Sequence, residues 1–364
     1  MQPVMILAGG TGGHVFPALA VANELRDRGV PIIWVGTNKG IESRIVPEAD
    51  FPLATMSVQG LRGKGYMQYV RAPLIIIKAL YESLNILLKH KPCALLGMGG
   101  FVAGPCALVG VLLGKPLIIH EQNAIVGLTN RILAPLSRIM FTGFPIQHKK
   151  RKQEHCGNPV RSKLLNIESP EKRLSGRGVT KRLLIIGGSQ GADSLNRFVP
   201  AALAIISSSI RVEVWHQTGA KRQEATFESY QKSGLQVKLD EFIDDIDEAY
   251  AWADLIVCRS GAITLAEIAA VGLGSVLVPY PYAVDDHQTA NARSYVEAGA
   301  SQLISESEMS SEKLAEILLA LLTSSEKLIG MASAAKNLSQ GNASKRVADE
   351  CMTACGQQVW VSSK

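Results

Sequence analysis

The stretch "MILAGGTGGHVFPALAVANEL", residues 5 to 25, decides how the chain begins to fold. Its first residues, Met5–Ala8, are a short apolar run typical of a buried strand, and residues 17–25 carry apolar side chains at helical spacing. The stretch therefore predicts a strand that turns directly into a helix, with Gly9–His14 as the turn. Glycines there let a ligand approach the backbone, and amides at the start of the helix favour an anion.

The glycines of this turn do not have the spacing of the common nucleotide motifs. G-x-G-x-x-G cannot be laid over Gly9, Gly10, Gly12 and Gly13, and G-x-x-x-x-G-K-[ST] occurs nowhere in the chain. Dinucleotide-binding and P-loop functions are therefore disfavoured. A tight structural turn remains the alternative to an anion or sugar-phosphate site.

Length and composition favour two α/β domains and a cytoplasmic chain. The chain has 364 residues, 47% of them hydrophobic, which is too long for one ordinary core. The N-terminus runs straight into a strand without the basic segment of a signal peptide. The cysteines have neither C-x-x-C nor zinc-like spacing, so we expect reduced thiols and no disulfide framework. The six cysteines are Cys93, Cys106, Cys156, Cys258, Cys351 and Cys355.

One uncharged stretch, "PCALLGMGGFVAGPCALVGVLLG" between Lys91 and Lys115, is long enough to span a bilayer. Its glycines and Pro105 instead predict a second corner, with a strand at Cys93–Leu96 and a turn at Gly97–Gly104. A transmembrane segment is the less favoured alternative.

Basic and apolar residues together suggest a membrane surface as a partner. The formal net charge is +6, and "HKKRKQEH", residues 148 to 155, holds much of the local excess. Residues 59–90 predict a helix with more apolar surface than one buried stripe requires. Docking on anionic lipid headgroups and ordinary core packing with a solvated loop both remain open. Nucleic acid is disfavoured, because no aromatic-and-basic platform or helix-turn-helix pattern occurs. The helix's basic and apolar residues include Arg62, Lys64, Arg71, Lys78, Leu74, Ile75, Ile76, Ile77, Leu80 and Tyr81.

The opening plan recurs in the second half of the chain. "KRLLIIGGSQGADSLNRFVPAALAII", residues 181 to 206, again places Gly-Gly, a hydroxyl residue and glycine between an apolar strand and a helix. Gly187 and Ser189 correspond to Gly9 and Thr11, 178 residues earlier, which is about one domain. We expect two similar doubly wound parallel-sheet domains that face a ligand-binding cleft. Residues 161–181 would connect them, with breakers at Pro170, Gly176 and Gly178.

Residues 252–292 carry a further corner suited to a nucleotide. The pattern predicts, in order, a strand at Leu255–Cys258, a turn at Arg259–Ala262, a helix at Ile263–Val271, a strand at Ser275–Pro279 and a helix near His287. Free amides at the first of these helices, with the hydroxyls of Ser260 and Thr264, suit a diphosphate. Glu267 follows within about one turn, where a carboxylate accepts hydrogen bonds from both ribose hydroxyls. An ordinary solvated glutamate is its alternative role.

A D-x-D triplet at Asp245 to Asp247 resembles a metal-binding motif. Asp244, Asp245 and Asp247 stand, however, at the start of the helix that leads to Trp252, where acidic residues complement the helix dipole. We therefore expect neither a metal nor another cofactor.

Ordered motifs give the chain a resemblance to a known family. They are "GGTGGHVFPALA", "HEQNAIVGLTN", "CGNPVR", "IIGGSQGADSLN", "EFIDDI" and "CRSGAITLAEIAAVGLGSVLVPYPYAVDDHQTANA", from residue 9 to residue 292. In these motifs the chain resembles the MurG family of bacterial N-acetylglucosaminyltransferases, in glycosyltransferase family 28. The resemblance implies a GT-B fold with two Rossmann-like domains. The predicted boundaries are 1–162 for an acceptor domain and 163–337 for a donor domain, with a final helix at about 338–364 that packs back on the first.

The family's reaction moves N-acetylglucosamine from UDP-N-acetylglucosamine to the 4-hydroxyl of N-acetylmuramic acid in undecaprenyl-linked lipid I, which gives lipid II for peptidoglycan. The resemblance thus implies a peripheral protein on the cytoplasmic face of the bacterial inner membrane. Its implied partners are both substrates, the anionic leaflet and cell-wall synthesis proteins. The implied UDP-N-acetylglucosamine contacts are Thr11, Gly12, Gly13, Asn123, Arg161, Ser189, Ile243, Ala262, Ile263, Thr264, Leu265, Ala266, Glu267 and Gln288.

The histidine of the first corner is the candidate base. His14 would face the cleft where the acceptor hydroxyl attacks the anomeric carbon with inversion. Hydrogen bonding to the acceptor diphosphate or capping of local backbone are its alternatives. Glu121 of "HEQN" is the second candidate, or else it braces the turn that presents Asn123.

Three other functions share parts of this pattern. A UDP-N-acetylglucosamine 2-epimerase would share the nucleotide corners but act without an acceptor. A nucleotide-sugar sensor would bind the donor without turnover. A glycosyltransferase that uses diacylglycerol is disfavoured only by the detailed "GGTGGH", "HEQN" and "GGSQGA" matches.

Overall fold

Two units make up the described part of the chain. The computed structural model describes residues 1–57, 66–146, 152–188, 191–232, 235 and 237–357. Unit 1 is Met1–Val160 together with the segment that starts at Gln340, and unit 2 is Arg161–Ser339. The boundaries predicted after residues 162 and 337 lie two residues from these limits.

Unit 1 contains a seven-stranded parallel sheet. Its strands are β1 (Val4–Ala8), β2 (Ile32–Thr37), β3 (Leu53–Met56), β4 (Ala94–Gly99), β5 (Leu117–Glu121), β6 (Ile139–Thr142) and β7 (Gln153–His155). The order is β3-β2-β1-β4-β5-β6-β7. Strands β2 and β3 are added on one side of β1 and strands β4 to β7 on the other, so the strand order reverses between β1 and β4. Along β1, alternate side chains enter two different apolar clusters, and helices therefore cover both faces.

Helices cover the two faces of this sheet. They are α1 (Gly12–Asp27), α2 (Glu42–Glu48), α3 (Tyr66–His90), α4 (Ala103–Leu112) and α5 (Leu128–Leu133), followed by a 3₁₀ turn at Ala134–Leu136. Val15 and Ala18 of α1 pack on one face, and Cys106 and Ala107 of α4 pack on the other. The chain thus leaves β1 and β4 toward opposite faces, which opens a crevice at the carboxyl ends of these strands.

Unit 2 repeats this plan with six parallel strands. They are β8 (Lys181–Ile186), β9 (Val212–Gln217), β10 (Val237–Asp240), β11 (Leu255–Cys258), β12 (Gly274–Leu277) and β13 (Ser301–Leu303). The order β10-β9-β8-β11-β12-β13 reverses between β8 and β11. Its helices are α6 (Ser162–Leu165), α7 (Pro170–Leu174), α8 (Asp193–Ile206), α9 (Gln223–Lys232), α10 (Ile246–Trp252), α11 (Ala262–Val271), α12 (His287–Glu297), α13 (Ser311–Leu322) and α14 (Ser325–Asn337). The predicted doubly wound parallel α/β class is confirmed.

The last helix, α15 (Ala343–Ala354), belongs to unit 1. Val347, Ala348 and Cys351 are buried in the cluster that also holds the apolar side of α1. Arg346 pairs with Glu154 of β7 at 2.7 Å. Apolar contact and this ion pair together dock the helix on the first sheet.

Several local predictions differ from the structure. The strand predicted at Ser275–Pro279 is β12, Gly274–Leu277. Helix α1 starts at Gly12, so His14 lies in its first turn and not in the preceding loop. Strand β4 starts one residue later than predicted and continues to Gly99. Pro170 does not break the chain, because it stands at the first position of α7, where a missing N–H costs no helical hydrogen bond.

The prediction of reduced cysteines was also wrong for one pair. Cys93, directly before β4, forms a disulfide with Cys355, directly after α15. The two residues are 262 positions apart, and only the docking of α15 brings their Cα atoms to 5.0 Å. The other four cysteines are buried free thiols.

The uncharged stretch forms β4 and α4, as the strand–turn–helix interpretation predicts. Among the described residues, no single helix has the length and apolar character needed to cross a membrane, whereas the bent pair α13 and α14 passes that test by length and composition.

Candidate active site

The first glycine corner connects β1 to α1 in unit 1. Gly10 has φ +94°, a conformation that glycine adopts without strain. Thr11 is the N-cap residue of α1, and its side chain makes no capping hydrogen bond. Thr11 and Gly13 are exposed and Gly12 is half-buried. The start of α1 therefore presents backbone N–H groups beside an accessible hydroxyl, as a phosphate or sugar oxygen would need.

A buried carboxylate anchors this corner. Glu42, at the start of α2, has no exposed surface and accepts hydrogen bonds from the backbone N–H groups of Gly10 and Thr37, both at 2.9 Å. Glycine is required around it, because a Cβ on Gly9 or Gly36 would lie 2.6 Å from Glu42 side-chain atoms. Glu42 could not be predicted from the sequence, because nothing local marks it as a partner of the corner.

His14 is held at the edge of the same crevice. It is half-buried, and its Nδ1 lies 3.1 Å from Oε1 of Gln122, the residue after β5. Gly99, at the end of β4, leaves room for the ring, because a Cβ there would lie 2.6 Å from Nδ1. The ends of β1, β4 and β5 thus position the imidazole through Nδ1. No described residue makes a hydrogen bond to Nε2.

Gln122 and His120 form a buried polar chain behind His14. Gln122 Nε2 donates to the Met98 carbonyl oxygen at 2.9 Å and lies 3.3 Å from His120 Nδ1. His120 Nε2 lies 2.9 Å from the Gly157 carbonyl oxygen. Burial lowers the pKa of His120 to about 4, so this imidazole is neutral at neutral pH.

Glu121 is engaged by the turn that follows β5. Its buried carboxylate accepts hydrogen bonds from the backbone N–H groups of Asn123 at 3.1 Å and Gly127 at 3.0 Å, and from Asn130 Nδ2 at 2.9 Å. These contacts are those of a side chain that braces the turn. Asn123 itself is half-buried at the same sheet edge as His14.

In unit 2, the corner after β8 corresponds to the first corner, because β8 has the same position in its sheet as β1. Gly188 and Gly191 have φ +84° and +72°, and Gly191 N donates to Gly188 O at 2.9 Å. Gln217, at the end of β9, also donates to Gly188 O, at 3.0 Å. The predicted phosphate ligand Ser189 lies outside the described residues.

The corner after β11 leads into α11 through Gly261, its N-cap residue. No side-chain hydrogen bond caps this helix at Gly261, and the N–H groups of its first turn lie at the carboxyl end of β11. Ala262, Ile263 and Leu265 are buried, and a ligand would meet them through backbone atoms. Thr264 and Ala266 are half-buried.

The Ser260 hydroxyl is not available to a diphosphate, contrary to expectation. Ser260 is fully buried and donates to the Gln288 carbonyl oxygen at 2.8 Å. Gln288 is half-buried, and its Oε1 accepts from Tyr280 N at 2.8 Å. These two bonds tie the start of α12 to the β11 corner, which brings Gln288 to the predicted nucleotide site.

Glu267 is a buried, partnered carboxylate and not a solvated one. It accepts hydrogen bonds from Arg161 Nη2 at 3.0 Å and from the Tyr250 hydroxyl at 3.1 Å. Burial raises the pKa of Tyr250 well above its ordinary value, so the phenol keeps the proton it donates. The structure thus brings two predicted residues, Arg161 and Glu267, into direct contact, and adds Tyr250 as a partner that was not predicted from the sequence.

Three further predicted residues lie in the loop before α10 and at the start of that helix. Ile243 is buried in the loop before this helix. Asp245 is its N-cap residue, and Asp247, in its first turn, lies 3.8 Å from Lys163 Nζ. Among the described residues no group of three or more His, Cys, Asp or Glu side chains is arranged to hold a metal ion.

Unit 1 also exposes an apolar surface on three consecutive helices, which we call the apolar patch. On α3, Leu74, Ile77 and Tyr81 are 70%, 62% and 65% exposed, while Ile75 packs partly against the core. The patch consists of Leu74, Ile76, Ile77 and Tyr81 of α3, Leu108, Leu112 and Leu113 at α4, and Leu128, Ile132 and Leu136 at α5 and its 3₁₀ turn. Exposed apolar side chains on helices that pack against one another are typical of an interaction site.

The basic residues near the patch are described only in part. Lys78 of α3 is exposed and lies 3.9 Å from Glu82. Lys152 is exposed. The side chain of Arg71 and the basic residues 149–151 lie outside what the structure describes.

Family comparisons match both halves of the chain. The glycosyltransferase family 28 N-terminal domain matches residues 4–142, and the family 28 C-terminal domain matches residues 182–350.

Curated relatives match nearly the whole chain. One from Alkalilimnicola ehrlichii is 49% identical and covers 96% of this chain and 98% of its own. One from Nitrosococcus oceani is 47% identical, with the same coverage. Both are named UDP-N-acetylglucosamine–N-acetylmuramyl-(pentapeptide) pyrophosphoryl-undecaprenol N-acetylglucosamine transferase.

Solved structures agree with the fold. The crystal structure of Acinetobacter baumannii MurG is 36% identical, with a TM-score of 0.82 over 97% of this chain and 100% of its own. A putative UDP-N-acetylglucosamine 2-epimerase from Listeria monocytogenes has a TM-score of 0.67 over 99% of each chain, but at 14% identity it shows the fold alone. The predicted GT-B class is confirmed.

Proposed function

The chain belongs to glycosyltransferase family 28, and from this membership we propose that it moves N-acetylglucosamine from UDP-N-acetylglucosamine to undecaprenyl-diphospho-N-acetylmuramyl pentapeptide. The carrying observation is the 49% identity, over 96% of the chain, to a relative named as that transferase. The reaction inverts the anomeric centre and yields lipid II, the peptidoglycan precursor.

We assign the nucleotide to unit 2. The first turn of α11 supplies amides for the diphosphate, together with Ser189 in the β8 corner and the guanidinium of Arg161. Glu267 accepts hydrogen bonds from the ribose hydroxyls through lone pairs that Arg161 and Tyr250 do not occupy. Backbone groups at Ile243 meet uracil. The same amides and Arg161 stabilise the departing UDP without a metal.

The sugar and the reacting groups are assigned in part to unit 1. Thr11, Gly12, Gly13 and Asn123 would contact the donor sugar, with Gln288 of unit 2 suited to its hydroxyl and acetamido groups. Glu121 is assigned to bracing the turn that carries Asn123, since its carboxylate already accepts three hydrogen bonds of 3.1 Å or less. That leaves His14 as the candidate base of the crevice.

In the proposed step, His14 Nε2 takes the proton of the acceptor 4-hydroxyl. The acceptor oxygen forms a bond to the anomeric carbon from the face opposite the leaving group, and the bond from that carbon to the UDP oxygen breaks with its electron pair. Imidazolium and UDP are the products besides the glycolipid.

We propose that the apolar patch docks on the anionic cytoplasmic leaflet of the inner membrane, which makes the protein peripheral. The supporting observation is that Leu74, Ile77 and Tyr81 are more than 60% exposed on a helix that also exposes Lys78. A polyprenyl-linked acceptor needs an enzyme that works at headgroup level, whereas the donor is water-soluble.

The reaction is tested with radiolabelled UDP-N-acetylglucosamine and a lipid I analogue that bears a shortened prenyl chain. We expect label transfer that depends on the analogue, with one UDP released per sugar transferred. Conversion of the donor to its manno epimer without acceptor would instead identify an epimerase. Tight donor binding without turnover on any analogue would identify a sensor.

A further inference from the structure

The side-chain amide of Gln122 has only one orientation that satisfies its neighbours. One end of the amide lies 2.9 Å from the Met98 carbonyl oxygen, which can only accept a hydrogen bond. That end must therefore be the NH₂ group. The carbonyl end, Oε1, then faces His14, and the residue is 1% exposed, so water does not compete for these contacts.

This orientation decides which nitrogen of His14 carries the proton. Gln122 Oε1 can only accept, and it lies 3.1 Å from His14 Nδ1. The hydrogen must therefore sit on Nδ1. In the neutral ring the other nitrogen, Nε2, is then an unprotonated acceptor, which is the form that a base requires.

The other end of this hydrogen-bond chain, at His120, requires the same orientation of the Gln122 amide. His120 Nε2 lies 2.9 Å from the Gly157 carbonyl oxygen, so it is the donor nitrogen of that ring. His120 Nδ1 is then an acceptor, and it shares the second N–H of Gln122 Nε2 with the His120 carbonyl oxygen, each at 3.3 Å. Because burial lowers the pKa of His120 to about 4, its Nδ1 stays unprotonated at neutral pH and does not oppose the Gln122 amide. Every hydrogen bond from His14 to Gly157 is consistent with this one arrangement.

We propose that Gln122 is a positioning residue that fixes His14 in the Nδ1–H tautomer and thereby presents the Nε2 lone pair to the acceptor hydroxyl. The proposal rests on the assignment of His14 as the base. It gives a function to the third residue of "HEQN", to which the motif itself assigns none.

The tautomer is measured directly by ¹⁵N NMR of the protein labelled at histidine, with the His14 signals assigned by their loss in His14→Ala. We expect a protonated Nδ1 and an unprotonated Nε2 in the unaltered protein at neutral pH. Gln122→Met keeps the side-chain length but removes the acceptor, so the ring should shift toward the Nε2–H form that free histidine prefers. The kcat should fall by at least about tenfold, with little change in the KM for the donor.

Gln122→Glu is the conservative variant. It keeps an acceptor oxygen toward Nδ1 and loses the donor to Met98, so it should retain the Nδ1–H tautomer and more of the kcat than Gln122→Met. A merely structural role predicts instead that both variants lose stability and that neither changes the tautomer ratio.

The possible failures are distinguishable. An Nε2–H ring in the unaltered protein, or a tautomer ratio that Gln122→Met leaves unchanged, overturns the role of Gln122 whatever the activity. If Gln122→Met does not fold, the unaltered protein and Gln122→Glu still decide. If the tautomers are as expected but His14→Ala keeps normal turnover, the tautomer assignment stands and the assignment of His14 as base fails.

Discussion

Neighbouring side chains orient both His14 and Glu267. His14 Nδ1 contacts Gln122, and Glu267 contacts Arg161 and Tyr250. A reactive or binding group that is oriented in advance does not have to be ordered during the reaction. The two residues belong to different units and to different tasks, so substitutions at these positions should separate turnover from donor binding.

The first prediction concerns His14→Ala. If Nε2 accepts the proton of the attacking hydroxyl, its removal should lower kcat by roughly 10²–10⁴-fold, the usual contribution of a general base. The dissociation constant for UDP-N-acetylglucosamine should change little. His155→Ala is the matched control, because His155 is an exposed histidine on β7 of the same unit and is outside the assigned site. Turnover within a few-fold of normal in His14→Ala would remove this residue as the base.

The second prediction concerns the ribose contact of Glu267. A hydrogen bond to a charged group contributes about 1.5–3 kcal/mol, so Glu267→Gln should weaken UDP binding by roughly tenfold or more. Calorimetry measures the binding of UDP and of 2′-deoxy-UDP to the unaltered protein and to Glu267→Gln, which completes a double-mutant cycle. The loss of binding free energy on removal of the 2′-hydroxyl should be smaller in the variant.

The control for this cycle is Glu316→Gln, on the exposed side of α13. It should leave both affinities unchanged. Equal deoxy penalties in the unaltered protein and in Glu267→Gln would contradict the ribose contact and leave Glu267 as a structural partner of Arg161 and Tyr250.

At the scale of elements, two strand–turn–helix corners flank the switch point of each sheet, and glycine allows close backbone approach at these corners. In unit 1, a Cβ on Gly100 of the β4 corner would lie 2.3 Å from the Gly9 carbonyl oxygen of the β1 corner. In unit 2, a Cβ on Gly191 of the β8 corner would lie 2.3 Å from the Thr218 carbonyl oxygen, directly after β9. Contacts this short exclude any other residue type without a backbone shift. The corners thus combine close backbone packing with the helix starts that suit phosphate.

These corners were predictable from the sequence because their signals are local. An apolar run, a cluster of glycines and a helical repeat follow one another within about 20 residues, as the length of a strand and a helix requires. The partners that hold the corners were not predictable in this way. Glu42 meets Gly10 across 32 positions and Gln122 meets His14 across 108, and only the packing of parallel strand ends makes them neighbours.

The third prediction concerns α3 and the apolar patch. Leu74→Ser with Ile77→Ser removes two exposed side chains, each of which contributes about 1.5–3 kcal/mol when fully buried, so binding to anionic vesicles should fall at least about tenfold. Ile75 is unsuitable for this test, since it packs partly against the core. Cosedimentation with vesicles measures the effect.

Ile205→Ser with Phe227→Ser is the control for the patch, because these residues are 51% and 47% exposed on helices of unit 2. That variant should bind vesicles normally. Normal vesicle binding by the α3 variant, in a protein with unchanged thermal unfolding, would contradict the patch assignment.

At the scale of the whole molecule, both units use the same strand order around a switch point, with one additional strand in unit 1. The repeat of the glycine corner was enough to predict this duplication. The disulfide between Cys93 and Cys355 was not predictable, because it depends on where α15 ends after docking on unit 1. Local sequence patterns thus predict the two units. The docking of α15 on unit 1 and the disulfide that follows from it depend on packing between residues far apart in the sequence.

Each unit also contains one fully buried histidine whose charging opposes folding. Burial lowers the pKa of His120 in unit 1 to about 4 and that of His216 in unit 2 to about 3, from an ordinary value of 6.5. His216 is bonded as a neutral ring, with Nε2 3.0 Å from Asn196 Oδ1 and Nδ1 2.9 Å from the Tyr230 hydroxyl. Below pH 6.5 these two histidines are therefore protonated in the unfolded chain but remain neutral in the folded protein. The free energy of unfolding must then decrease as the pH falls.

The fourth prediction is that urea unfolding free energies decrease between pH 6.5 and pH 4.5 by up to about 1.4 kcal/mol per pH unit for each histidine. Unfolding of unit 1 should lose this slope in His120→Gln, and unfolding of unit 2 should lose it in His216→Gln. His155→Gln should leave the slope of unit 2 unchanged and should affect that of unit 1 far less than His120→Gln does, because the His155 side chain is exposed. The window stops at pH 4.5 because carboxylates begin to protonate there. A free energy that stays constant across this window, or a slope that survives both substitutions, would show that these buried imidazoles do not control acid stability.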